Sequence, residues 1–296
     1  MSDKKLKAIL EKMGSRLSEE EKKDEDEEIN IAFEKILDQM DSKESENLNS
    51  KEQLPIWPRA TMGVPNAVLR SSLFGVIQRG RRKYIDGQEL TSIGSIKIIY
   101  TGPRLDQADL DVWEQCLTLA REEGLGSRIE FSANSFLKCI DRKTGKSQHE
   151  WLKKAFRRLS GSVVSIIDGD REYFGPLIAG GARDEETGRY VIEINPRIRK
   201  LYGDQHWTQV QWSERHALKK PLSQWLHGFY SSHRNPYPIK TETIRSLCGS
   251  ETKDIYRFRQ SLRAALKELQ GITSWHCSVD KENKVQVVRG GVRHSK

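Results

Sequence analysis

The chain has 296 residues, 36% of them hydrophobic and 31% charged, with 50 Lys plus Arg against 42 Asp plus Glu for a formal net charge of +8. That length implies about two domains of roughly 100–200 residues each, and no apolar run approaches the ~18 residues of a membrane span. The opening Met1-Ser2-Asp3-Lys4-Lys5 lacks the apolar stretch of a signal peptide, and Cys116, Cys139, Cys248 and Cys277 lie far apart, so a soluble cytoplasmic chain with reduced thiols is expected, without a disulfide framework or zinc ribbon.

The net charge hides a split at residue 53. Residues 1–53 carry 10 basic and 16 acidic side chains, leaving 40 basic against 26 acidic on 54–296, so a polyanion is expected on the second part. Runs such as Glu19-Glu20-Glu21 and Asp24 to Glu28 are too charged to pack, and the segment reads as a largely disordered acidic tail. Two narrow apolar stripes occur in it at helical spacing, Leu6, Ile9, Leu10, Met13, Leu17 and Ile29, Phe33, Ile36, Leu37, Met40. Each suits either a transient helix or a segment that folds on a partner protein. Where tail meets core, Gln53-Leu54-Pro55-Ile56-Trp57 resembles the short peptide that binds the bacterial sliding clamp. In that pattern Gln53 bonds at the rim of a groove while Leu54, Ile56 and Trp57 enter it. The same residues also suit a linker whose Trp57 packs on the first domain. Ser72-Leu73-Phe74 matches more weakly and reads as the start of a core helix.

In the folded part, Asp106 to Glu123 is an amphipathic helix with Leu110, Trp113, Leu117 and Ala120 on one face, ended by Gly124 and Gly126. A strand at Arg128 to Phe131 follows, then a short helix capped by Ser132, a Lys143-Thr144-Gly145 turn, and a helix from Ser147 to about Leu159 stopped by Gly161. Runs Ser162–Ile167, Tyr173–Ile178 and Tyr190–Ile194 are β-rich, and Gly180-Gly181-Ala182 reads as a hairpin corner. The order then recurs. A helix at about Leu218 to Ser232 buries Leu222, Trp225, Leu226 and Phe229, with Pro221 near its start; Thr241 can cap a second helix ended by Gly249. A long helix spans about Thr252 to Leu269, stopped by Gly271, and a hairpin follows at Ile272–Val279 and Lys284–Val288. Helix, strand, helix, helix, hairpin, twice over, describes an α+β chain with two tandem winged-helix domains, at 54–195 and 196–296.

At about 100° per residue, Ile255, Phe258, Leu262, Leu266 and Leu269 form the core face of the last long helix. The opposite arc holds Lys253, Tyr256, Arg257, Gln260, Arg263 and Lys267 with small Ala264. Arg and Gln can bond two-pronged to guanine and adenine edges and Lys answers phosphate, so this face is expected to read DNA in the major groove. In the first repeat Lys146, Ser147, Lys153, Lys154, Arg157 and Arg158 face outward; the more uniform charge suits phosphates. Gln78-Arg79-Gly80-Arg81-Arg82-Lys83 is either a phosphate-binding arm or a surface loop, and Arg289, Arg293, His294 and Lys296, beyond the second hairpin, could reach an adjacent phosphate or the minor groove.

The seven histidines form neither His-x-His nor His-Glu-x-x-His, and Gly-x-x-x-x-Gly-Lys is missing, so no metal site, cofactor, nicking or ATPase activity is expected, and the chain is not read as an enzyme. Val64-Pro65-Asn66-Ala67-Val68-Leu69-Arg70-Ser71-Ser72-Leu73-Phe74-Gly75, continuing to Arg82, resembles the core opening of the TrfA replication initiators of broad-host-range plasmids, within the tandem winged-helix plasmid Rep proteins. Similarity runs through Gly271. The resemblance implies recognition of repeated double-stranded origin sites (iterons) and opening of adjacent AT-rich DNA, with that single-stranded DNA as a further ligand. It also implies recruitment of host DnaA, DnaB helicase and sliding clamp, and a regulatory dimer bearing on plasmid copy control. On this reading the second module supplies base readout, while the first supplies backbone contacts and the dimer surface. A transcriptional repressor that binds DNA without opening it is the alternative, and a partition or scaffold protein a third.

Overall fold

The computed structural model describes residues 53–290 except 79, 81 and 127. The tail stripes, Arg79, Arg81, Arg293, His294 and Lys296 therefore lie outside the described residues. No helix of the described residues is long and apolar enough to cross a membrane.

Strand β1 (Thr61–Pro65) runs into the short helix α1 (Asn66–Leu69) and then β2 (Phe74–Gly75), and β3 (Tyr84–Leu90) and β4 (Lys97–Pro103) form a hairpin before β5 (Leu105–Asp106). Ser72-Leu73-Phe74 is thus not the start of a helix: its Phe74 sits in β2, paired in parallel with β5. Helix α2 (Gln107–Glu123) opens with a capping box, in which the Asp106 carboxylate accepts from the backbone N–H groups of Ala108 and Asp109 while the Asp109 carboxylate accepts from that of Asp106. As the periodicity predicts, Leu110, Trp113, Leu117 and Ala120 are buried on it.

The first repeat follows with β6 (Arg128–Ser132), α3 (Ala133–Cys139), α4 (Lys146–Ser160), β7 (Val163–Asp168), β8 (Arg171–Gly175), β9 (Gly180–Arg183) and β10 (Arg189–Glu193). The hairpin that returns to β6 is β9–β10, in sheet order β6-β10-β9. Gly180-Gly181-Ala182 is therefore strand, not a corner. A Cβ on Gly181 would lie 2.6 Å from the Val191 carbonyl oxygen, so glycine there permits the close pairing that its low β-propensity conceals. Strands β7 and β8 belong elsewhere: with β3 and β4 they make a four-stranded antiparallel sheet ordered β3-β4-β7-β8, inserted between α4 and its hairpin.

After a 3-10 helix (Pro196–Leu201), β11 (Trp207–Gln211) pairs antiparallel with β1, and α5 (Trp212–Ala217) leads into the second repeat. This comprises α6 (Pro221–Ser231), β12 (Ile239–Lys240), α7 (Thr241–Leu247), α8 (Ile255–Ile272), β13 (His276–Val279) and β14 (Lys284–Val288), in sheet order β12-β14-β13. The two small sheets share one topology, with the first strand beside the last and the middle strand outside. Thr241 does not cap α7. Its hydroxyl donates to the Asn283 carbonyl and ties the helix to the hairpin tip. Gly271 does not stop α8, which is capped by the Asp254 carboxylate, begins at Ile255 and runs past the glycine to Ile272.

Two hydrophobic cores result. One extends from Leu54 to Val210, the other from Leu218 to Val287. Ile198, Leu201, Tyr202 and Val210 belong to the first core, so the division falls at α5 and not at residue 195, because β11 completes a sheet with β1.

Candidate nucleic-acid interface

Helix α8 carries two chemically distinct faces. Phe258, Leu262, Ala265, Leu266 and Leu269 are buried. Lys253 stands just before the helix, and Tyr256, Arg257, Gln260, Arg263, Ala264 and Lys267 are exposed on it, Tyr256 at 72%. Among the described residues only one of these cations has an acidic neighbour: the Asp254 carboxylate lies 3.7 Å from Arg257, which at such exposure binds weakly. The helix has a single acid, Glu268, and it faces away, accepting from the Ser223 hydroxyl and pairing with Lys220 at 3.5 Å. Arg259 at the edge of the arc is tied at 2.6 Å to Glu242, bracing α8 against α7. The exposed arc is therefore cationic, with aromatic and amide side chains among the charges and its counter-charges spent elsewhere. Such a surface attracts phosphate and offers donors to base edges.

On α4 the six expected residues separate. Lys146, Ser147, Lys154 and Arg157 are exposed. Lys153 is bonded to Glu185 at 2.8 Å across the cleft to the β9–β10 hairpin. Arg158 does not face outward: its side chain is 13% exposed and donates to the fully buried Asp109 carboxylate at 2.6 Å. Arg82 donates to the same carboxylate at 2.9 Å and to Asp106 at 2.6 Å. Burial pushes the Asp109 carboxyl up to about 6 while the two guanidiniums pull against it. Arg158 and Arg82 are thus structural cations, because a buried carboxylate needs them more than solvent does.

Arg289 is likewise occupied. It donates to the carbonyls of Ser231 and His233 at 2.9 and 3.0 Å and lies over the Trp275 ring, closing the C-terminal end of α6. The clamp-like peptide is not held out. Leu54 and Trp57 are 3% and 2% exposed and belong to the first core, with Trp57 stacked on Tyr202 and tilted against Trp207. Arg121 donates to the Trp57 carbonyl at 2.6 Å, and Arg199 to that of Gln53 at 2.8 Å. Of the three apolar anchors Ile56 alone is exposed, at 89%. With Leu54 and Trp57 in the core, two of the segment's three apolar anchors are not free to enter a partner's groove.

Sequence reasoning missed Arg183, Glu185 and Tyr190, which line the cleft between α4 and the β9–β10 hairpin together with Lys153, Phe156 and Arg157. An Arg two residues beyond a Gly-Gly pair gives no periodic signal. Only the pairing of β9 with β10 sets Arg183 opposite Tyr190. Among the described residues, no group of three His, Cys, Asp or Glu side chains is placed to hold a metal ion.

A family model described as TrfA protein matches residues 30–285. The plasmid replication initiator protein TrfA of Escherichia coli is 27% identical over 224 residues, 73% of this chain and 58% of that protein. RepFIB replication protein A of Escherichia coli strain K12 is 27% identical over 190 residues, 60% of this chain and 58% of that protein. The chain thus spans less than two thirds of the length of these curated relatives. Among solved structures, domains 2 and 3 of RctB superpose with a TM-score of 0.52 at 11% identity, over 76% of this chain and 96% of that one, a likeness of fold. With the family model matched over most of its length, the chain belongs to the TrfA family.

Proposed function

We propose that the chain is a plasmid replication initiator that binds repeated origin sites through two winged-helix modules, opens the neighbouring AT-rich DNA and acts by binding, not by catalysis. The observation that carries the reading is the exposed arc of α8, with Arg257, Gln260, Arg263 and Lys267 outward and no acid among them. Two features support winged-helix modules: each small sheet is ordered first strand, last strand, middle strand, and in each a basic helix lies between the first strand and the hairpin. The second module supplies base readout, and the first supplies phosphate contacts through Lys146, Lys154 and Arg157.

Self-association of a regulatory dimer suits the outer face of the four-stranded sheet. There Ile99 lies opposite Ser165, which lies opposite Phe174, and Val163 flanks them; Phe174 is 69% exposed and Val163 55%. Family membership supports recruitment of host DnaA and DnaB helicase. The sliding clamp is not among these partners, since Leu54 and Trp57 are core residues.

Gel-shift competition between origin repeats and random duplex tests the readout. Replacing Arg257 and Arg263 with Ala should remove the preference for the repeats, each good base contact contributing ~1–3 kcal/mol. Unchanged discrimination refutes the assignment. Permanganate footprinting of origin DNA separates an initiator, which exposes unpaired thymines, from a repressor, which does not.

A further inference from the structure

The cleft between α4 and the β9–β10 hairpin holds a charge arrangement unlike that of α8. Two cations from different elements, Lys153 on α4 and Arg183 on β9, converge on one carboxylate, Glu185 at the hairpin tip, the lysine at 2.8 Å. The cations are the sheltered partners, 26% and 19% exposed, and the carboxylate is the open one, 67% exposed. Lys153 and Arg183 hold the Glu185 carboxyl down to about 2. Arg157, one helical turn from Lys153, lines the same cleft, and Gly180 leaves its side open, with no atom of the described residues beyond its chain neighbours within 4 Å of where a Cβ would sit. The hairpin tip is built to present residue 185: the Asp184 carboxylate accepts from the N–H groups of Glu186 and Thr187 at 2.9 and 2.8 Å.

A carboxylate bound by a lysine and an arginine in a cationic cleft has the chemistry of a bound phosphate oxygen pair. We propose that this cleft is a phosphodiester-binding subsite that Glu185 occupies in the free protein, so that a DNA phosphate must displace the glutamate before the first module engages. The inference deepens the DNA-binding reading of α4 and rests on it. It also assigns an order. On the second module the hairpin acid is spent within the hairpin, Glu282 pairing with Lys284 at 2.6 Å, so the α8 face meets DNA unmasked and engages first. The first module follows at the cost of releasing Glu185.

Because a phosphate contact ignores sequence, the test uses a fluorescent random-sequence duplex with the full chain, its Kd measured by anisotropy across a series of salt concentrations. Glu185→Gln should tighten binding about three- to tenfold near 0.1 M salt and steepen the salt dependence by about one ion, since no carboxylate then recovers a counterion on release. Glu186→Gln, the neighbouring exposed acid, should stay close to wild type. In a Lys153→Ala/Arg183→Ala background, itself weaker and with a shallower salt slope, Glu185→Gln should change nothing. The proposal is overturned if Glu186→Gln matches Glu185→Gln, if Glu185→Gln weakens binding, or if its effect survives loss of the two cations. Failure of every variant and the wild type to bind duplex would overturn the DNA-binding reading as well.

Discussion

Replacing Trp57 with Ala distinguishes a core residue from a docking peptide. The indole is 2% exposed, packed against Tyr202 and Trp207 at centroid distances of 6.0 and 5.9 Å, with the Arg121 guanidinium 5.0 Å from its centre. Backbone also touches it closely, since a Cβ on Gly63 would fall 2.4 Å from its ring. Deleting such a side chain removes its transfer energy and leaves a cavity, together about 3–5 kcal/mol. At roughly 2–4 °C per kcal/mol for a domain of this size, the melting temperature should fall by about 6–20 °C in differential scanning calorimetry. Leu54→Ala should also destabilise, by about 2–5 kcal/mol, while exposed Ile56→Ala should stay within about 0.5 kcal/mol of wild type. Trp57→Phe should cost less than Trp57→Ala, because it keeps most of the aromatic contact and removes an indole N–H that has no partner among the described residues. A Trp57→Ala protein that melts with the wild type would refute the packing argument and return the segment to the status of a free peptide.

Arg158 and Arg157 are sequence neighbours with opposite fates. Arg158→Ala should cost about 3–5 kcal/mol by leaving buried Asp109 short of a cation, whereas Arg157→Ala should leave denaturant unfolding unchanged and lower the salt slope of DNA binding by about one; reversal of the two would refute the assignment. Burial holds the His227 imidazole below its ordinary value although its Nε2–H donates to Glu214. The unfolded chain therefore takes up the proton first, and stability is lost as pH falls through about 6.5. The stability difference between wild type and His227→Gln should shrink by up to about 1.4 kcal/mol per pH unit below that point, and a pH-independent difference would exclude it. Glu114 has the opposite sign: burial, with no hydrogen-bond partner for either carboxyl oxygen among the described residues, pushes it well above its ordinary value, so its contribution is lost as pH rises above the unfolded value of about 4.3. Glu114→Met should be more stable than wild type at pH 7 in urea titrations, with the advantage narrowing toward pH 4.

The helices were legible in the sequence because each buries one face. Leu152, Phe156 and Leu159 on α4 and Leu262, Leu266 and Leu269 on α8 are all buried where a 3.6-residue period places them. The four-stranded sheet was not legible. Most of β3 is exposed, with Asp86, Gly87, Gln88 and Glu89 in its middle, so it lacks the alternation that marks a half-buried strand. Position on a helix surface also misled for Arg158, since its partner Asp109 lies 49 residues earlier and no local pattern reveals a buried carboxylate. For Leu54 and Trp57 the motif described local chemistry correctly but not its competitor. An aromatic platform of Tyr202 and Trp207, supplied far along the chain, takes the indole first.

The first turns of α2 explain why two modules with separate cores behave as one unit. Asp106, Asp109 and Asp111 read as acids favoured at a helix N-terminus, yet each is answered by an arginine from elsewhere. Arg82 and Arg158 take Asp106 and Asp109 inside the first module. Arg215, on α5 between the two cores, is 1% exposed and donates to Asp111 at 2.6 Å, to the Gln107 side chain at 3.1 Å and to the Gln107 carbonyl at 3.0 Å. Across the same junction Trp225 donates to the Ser71 carbonyl and Arg104 to that of Gly249. A hinge there would strand a buried guanidinium, at several kcal/mol. On the DNA-binding reading proposed above, adaptation falls to the exposed hairpin tips and to the DNA, with Glu185 giving up its bonds to Lys153 and Arg183.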